Sequence, residues 1–174
     1  MHPLKTYDFL ILSRDRIFDA VRPMTHEQYR HRFPYALVTI GATLTHMMVS
    51  EWYYFERFRG RPVPPYEQWE IQYEQPPVFG VVETKWREQQ REIRAVIEAE
   101  RDWNRRIEYD TFPDDDNKRF HIGATSGDIL TQLALHEMHH RAQLLIMRRE
   151  LLPSAPMVLD LDYNDLMYER RELK

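Results

Sequence analysis

Residues Ile129–Leu152 read ILTQLALHEMHHRAQLLIMRRELL, and the period of this run decides the fold. Ile129, Leu133, His136, His140, Leu144, Met147 and Leu151 recur at spacings of four and three. That is the stripe of a long helix with one face turned to a core. Two imidazoles four residues apart on it lie one above the other and can grip one metal ion together. They replace two hydrophobic residues in what should be the interior. A buried imidazole needs partners for its nitrogens, and a shared metal supplies them. A pair of satisfied core histidines is the alternative reading.

A third histidine favours the metal. Thr39 to Phe58 also reads as a helix, with Thr39 as its N-cap and Gly60 just past its end. His46 shares a side of it with Ala42, Thr43, Val49, Ser50 and Tyr53, several of them small enough to leave a cavity. His46, His136 and His140 together supply three nitrogens and leave a coordination position for water or substrate, as catalytic rather than structural sites do.

Working outward, 174 residues fit one domain spanning 1–174, large enough to bury a core without staples. The formal net charge is −4, and the basic residues are scattered, which gives no nucleic-acid footprint. The chain has no cysteine, hence no disulfide, thiolate ligand or thiol nucleophile of its own. No apolar run approaches membrane-spanning length and the first residues lack the apolar core of a secretion signal, so the expected location is the cytoplasm.

Four helices are expected in all. Leu4 to Val21 is amphipathic and ends before Pro23, and Thr25-His26-Glu27-Gln28 has the spacing of a capping box. After the Thr39–Phe58 helix, residues 61–78 carry Pro62, Pro64, Pro65, Pro76 and Pro77, which reads as an extended connection across one end of a bundle. Phe79 to Trp103 is the third helix, with its stripe through Val82, Trp86, Ile93, Val96 and Ile97. Arg106–Tyr109 and Arg119–Ile122 alternate polar and apolar around Pro113-Asp114-Asp115-Asp116-Asn117, a small hairpin with a solvated acidic turn rather than a calcium loop. The fourth helix opens at Thr125 or Ser126 and stops at Leu152-Pro153, and Asp160 to Leu173 reads as a short terminal helix.

His136-Glu137-Met138-His139-His140-Arg141-Ala142-Gln143 resembles the H-x-x-H-H-R-G-Q segment of the DinB/YfiT-like superfamily of metal-binding four-helix bundles. Ile40-Gly41-Ala42-Thr43-Leu44-Thr45-His46 looks like that family's segment around its first metal histidine, and Glu51 matches an acidic position found there. Gly123 to Leu130 and Asp162 to Leu166 are similar as well, so the resemblance covers nearly the whole chain. Ala142 departs from the family's glycine. The resemblance implies an all-α four-helix bundle with a long connection between helices two and three and a hairpin between three and four. It also implies a divalent ion, zinc or nickel, on His46, His136 and His140, with His139 outside the ligand set. Family members with a known reaction are transferases or isomerases that activate a low-molecular-weight thiol such as mycothiol, bacillithiol or glutathione, often as homodimers. A metal-dependent thiol transferase acting on a small-molecule substrate is thus the leading reading.

His136-Glu137-x-x-His140 is also a literal H-E-x-x-H, in which the glutamate is the general base of a zinc protease. The extended motif fails, because Gln143 and Ile146 stand where glycine and histidine belong, although Glu150, Glu169 and Glu172 are each conceivable downstream ligands. A metal-dependent hydrolase and a non-enzymatic metal-binding protein are the alternatives. Glu51 is a candidate partner for a metal histidine or a structural ion pair, lying about 140° round its helix from His46. Arg141 is either a substrate-carboxylate site or a surface arginine, and Tyr53 either touches substrate or packs. Opposite the histidine stripe, Ala134, Leu135, Met138, Ala142, Leu145 and Ile146 form a second apolar side. The segment around Leu159, Leu161 and Leu166 is one cover for it and a second copy is the other, and the family resemblance favours the second, a homodimer through this face.

Overall fold

The structure, a computed structural model, describes residues 2–113, 116–158 and 161–169. It is mostly helical with one small sheet. The long helices are α1 (Pro3–Val21), α3 (Ile40–Phe58), α4 (Phe79–Ala99) and α5 (Ser126–Leu151), and the short ones are α2 (His26–Arg30) and α6 (Tyr163–Met167). Their ends follow local chemistry. Pro3 opens α1, where its missing N–H would have had no partner. Thr25 and Gln28 form both halves of a capping box on α2, and the Thr39 hydroxyl accepts from the Ala42 amide at 2.9 Å to start α3. Beyond α3, Gly60 takes φ +69, the left-handed turn that glycine adopts without penalty.

Helix α3 packs on α5 and α4, and α1 packs on α4 and α5, while α2 lies against α3 and α6 against α1. A Cβ on Gly41 would come within 2.7 Å of the Tyr29 ring, so glycine there permits the close approach of α2. Strands β1 (Arg106–Asp110) and β2 (His121–Thr125) pair antiparallel, with Arg106 opposite Thr125 and Asp110 opposite His121.

The core has two apolar halves. Ile17, Phe18, Leu44, Met48, Trp86 and Leu144 belong to one, and Leu10, Phe55, Ile93, Ile97, Ile129 and Leu133 to the other. On every long helix the residue between the halves is polar and buried: Arg14, Glu51, Gln90 and Glu137. Arg14 donates from Nη2 to Glu51 Oε1 at 2.8 Å and to Glu137 Oε2 at 2.6 Å, from Nε to Glu137 Oε1 at 3.3 Å, and from Nη1 to Gln90 Oε1 at 3.5 Å. Glu51 also accepts from the Tyr7 hydroxyl, Trp86 Nε1 and Gln89 Nε2 at 2.7–2.9 Å. Every carboxylate oxygen in the layer thus has a donor, as burial of charge requires.

Several sequence expectations change. The third helix stops at Ala99 instead of Trp103. Glu100 leaves the helix, and its carboxylate accepts the amides of Arg101 and Asp102 and pairs with Arg105. The second strand begins at His121, not Arg119, and runs to Thr125, whose hydroxyl then caps α5. Of the acidic turn, Asp116 pairs with Lys118 at the surface, while Asp114 and Asp115 lie outside the described residues. Among the described residues the terminal helix covers Tyr163–Met167; Leu159, Asp160 and 170–174, Glu172 among them, are likewise outside. Leu161 and Leu166 pack on the two core halves, and Leu166 shares its cluster with Ala134. Leu135, Met138 and Ile146 stay about half exposed or more, at 60, 46 and 54%.

Candidate metal centre

Two positions differ from the expected stripe on α5. Ile129, Leu133, Leu144 and Met147 face the core, but between them the interior is filled by Glu137 and Arg141, not by His136 and His140. Each residue turns the helix about 100°, so the preceding position points to the flank. There His136 and His140 are half-buried and face α3, where His46 meets them. The histidines therefore line a groove beside the core. Their neighbours on the inner side carry the buried ion pairs.

The three rings form a compact cluster. Centroids are 5.0 Å apart for His46 and His136, 4.7 Å for His46 and His140, and 4.5 Å for His136 and His140. His46 Nε2 and His136 Nε2 are 3.1 Å apart, and one nitrogen from each of the three lies within 4.8 Å of the others. Two nitrogens on one tetrahedral ion, each about 2.0–2.1 Å from it, would be about 3.3 Å apart. The donor set fits a divalent ion with a modest closing of the third ring.

Second partners fix the rings. His140 Nδ1 lies 2.9 Å from Gln143 Oε1, and Gln143 Nε2 lies 2.9 Å from His139 Nε2. With the Gln143 oxygen accepting from Nδ1–H, Nε2 of His140 is left with a lone pair for a metal. Sequence reading passed over Gln143 in this role, although its offset of three from His140 and four from His139 puts all three on one helix face. Ser50 Oγ is 3.5 Å from His46 Nε2. Burial, then the nearby His140, lowers His46 to about 4, with Glu74 opposing. Burial, then His140, His46 and His139, lowers His136 to about 4; burial lowers His140 too. Neutral imidazole is the ligating form.

Tyr73, from the connection between α3 and α4, sets its ring edge on His46 at 5.1 Å, and Tyr54 approaches His136 at 6.4 Å. The sequence points to Tyr53 and not to Tyr54, and Tyr53 packs among Tyr54, Trp69 and Tyr109. The Tyr66 hydroxyl ties the connection together, donating to Glu74 Oε2 at 2.5 Å and accepting from the Tyr73 amide. Glu51 is an ion-pair partner of Arg14 and not of a histidine. Arg141 is buried and not superficial: it lies over the Phe9 ring at 5.4 Å, and burial lowers its pKa.

The sequence model of the DinB family matches residues 2–171, nearly the whole chain, and the chain belongs to that family. A comparison with curated proteins gives no match. No helix among the described residues is long and apolar enough to cross a membrane.

Proposed function

We propose that this DinB-family chain is a four-helix bundle enzyme in which His46, His136 and His140 hold one zinc or nickel ion, and that it transfers a low-molecular-weight thiol to a small electrophile. The observation that carries the reading is the meeting of three imidazoles, which burial holds toward the neutral form, from α3 and α5 in a half-buried groove. A divalent ion held by neutral ligands keeps its full charge and lowers the pKa of a thiol or water at its open position. Gln143 orients His140, and Tyr54 and Tyr73 wall the groove against bulk water. With no cysteine in the chain, the thiol comes from outside.

Glu137 weighs against the hydrolase alternative in its H-E-x-x-H form. Both its oxygens are taken by Arg14 in the core, on the inner side of α5 next to the flank that carries the histidines. A general base must reach the water it deprotonates, and Glu137 is committed elsewhere. The test is a transfer assay with zinc- and nickel-loaded protein, offering glutathione, bacillithiol and mycothiol with a panel of electrophiles. Metal-dependent conversion with one thiol is the expected result. Conversion that survives complete metal removal, or peptide cleavage in its place, refutes the reading.

We also propose a homodimer through the outer side of α5. Leu135, Met138 and Ile146 are the large apolar residues there that stay exposed, with the small Ala142 among them. Light scattering is expected to give twice the chain mass of 21.3 kDa at tens of micromolar; a monomer refutes it.

A further inference from the structure

Helix α3 carries more than His46 along its groove side. His46, Ser50, Tyr53 and Arg57 follow at spacings of four, three and four, so they share one face. Arg57 stands at the end of this row, where β1 crosses α3. Its guanidinium carbon lies 4.8 Å from the centre of the Tyr109 ring, 5.2 Å from that of Tyr53 and 6.0 Å from that of Phe112. The rings hold it in place but give it no counter-charge. Its Nε is buried without a hydrogen-bond partner.

The surrounding charges are committed elsewhere. Arg57 opens onto a cleft of about 440 Å³ whose wall also includes Arg61, Arg119, Glu108 and Asp110. Arg61 pairs with Glu56, Glu108 with Arg106, and Asp110 with His121 and Arg119. Among the described residues, Arg57 is the cation of this cleft that no carboxylate answers. A planar fork held between aromatic rings, with its donors free, is the arrangement that binds a carboxylate with two parallel hydrogen bonds.

From this we infer that Arg57 is the subsite for a carboxylate of the small molecule whose other end reaches the three histidines. Eleven residues of helix separate Arg57 from His46, about 16 Å at 1.5 Å per residue. Helical side chains lean toward the N-terminus, and the contact with Tyr53 agrees with that lean. His46 leans the same way, so the span from guanidinium to histidines stays on the order of 15 Å. It suits a peptide-sized thiol with a carboxylate at its far end, and in naming the thiol the inference rests on the function proposed above.

Two measurements separate the inference from that function. In zinc-loaded protein, the Arg57 Nε–H resonance is followed by NMR during titration with S-methylglutathione and with its diethyl ester. Neither has a thiol, so thiolate formation at the metal does not enter, and the Arg57 resonance reports the guanidinium itself. The acid is expected to shift the resonance and to bind about tenfold or more tightly than the ester, as loss of a charge-assisted pair implies. In cobalt-substituted protein, glutathione and its diethyl ester are then compared through the cobalt–thiolate absorption, with Arg57→Met and Arg57→Lys alongside. Arg57→Met should abolish the preference for the acid, and Arg57→Lys should keep part of it, with metal content unchanged in both. If Arg57→Met does not fold, the comparison of acid with ester in the native protein still decides. Equal binding of acid and ester overturns the inference. A clear Arg57 shift with no cobalt–thiolate signal leaves the subsite standing and overturns the thiol chemistry.

Discussion

Replacing Arg14 with methionine should destabilise the fold by about 3–5 kcal/mol at neutral pH, the range for removing one partner of a buried ion pair. Arg14 is 1% exposed and serves two carboxylates that are equally inaccessible, Glu51 and Glu137. Without it both charges stay in the core with only neutral donors, and the hydrophobic gain from methionine does not offset that. Burial already raises Glu137 against the opposing pull of Arg14. In the variant its pKa should rise further, so the folded state binds a proton that the unfolded chain gives up. The deficit should therefore shrink as pH falls from 7 toward 5. Arg14→Met combined with Glu137→Gln should recover part of the loss. Urea denaturation at two pH values measures all three, and a deficit under about 1 kcal/mol for Arg14→Met at pH 7 would contradict the account.

His136→Ala and His140→Ala should each weaken metal binding by about a hundredfold or more, because each removes one of the three proposed ligands. Gln143→Ala should weaken it by about ten- to a hundredfold through the lost orientation of His140, and His139→Ala should leave it nearly intact. Elemental analysis after dialysis against a weak chelator reads these directly. Full occupancy in both of the first two variants would refute the site. The pH dependence follows from His46 and His136 lying near 4 instead of 6.5. Protons compete with the ion only near the lower value, so the metal should be retained at pH 5.5 and released toward pH 4. Without metal, the unfolded chain takes up protons between pH 6.5 and 4 that the folded protein does not. Stability is then complete above 6.5 and falls across that window.

Much of this was legible in the sequence, and the failures share a cause. The caps at Thr25 and Thr39 and the stop at Gly60 are local chemistry, and they came out as read. The sequence pattern picks out three histidines that the structure brings together, but it turns His136 and His140 to the interior, where Glu137 and Arg141 stand instead. A stripe of fours and threes fits His136 and His140, and it also fits Leu133, Glu137, Arg141 and Leu144. Hydrophobicity favours histidine over glutamate and arginine for the interior. The structure chooses the charged pair because Arg14, 123 residues away, receives Glu137. No window on one helix contains that information. The end of the third helix was missed for a related reason, since Trp103 continues the apolar pattern while Glu100 finds better partners outside it.

The polar layer has a consequence for how the helices are aligned along their lengths. Apolar faces tolerate sliding, because one leucine serves nearly as well as the next. A slide of one turn, about 5.4 Å, would strand Arg14, Glu51 and Glu137 against hydrocarbon, and the single Arg14 contact set admits one alignment only. Glu137 adjoins His136, and Glu51 is about 1.4 turns beyond His46, so the catch that stops α3 and α5 from slipping also brings their imidazoles to the same height. The buried charge thereby acts as a gauge, and the groove beside it inherits its dimensions.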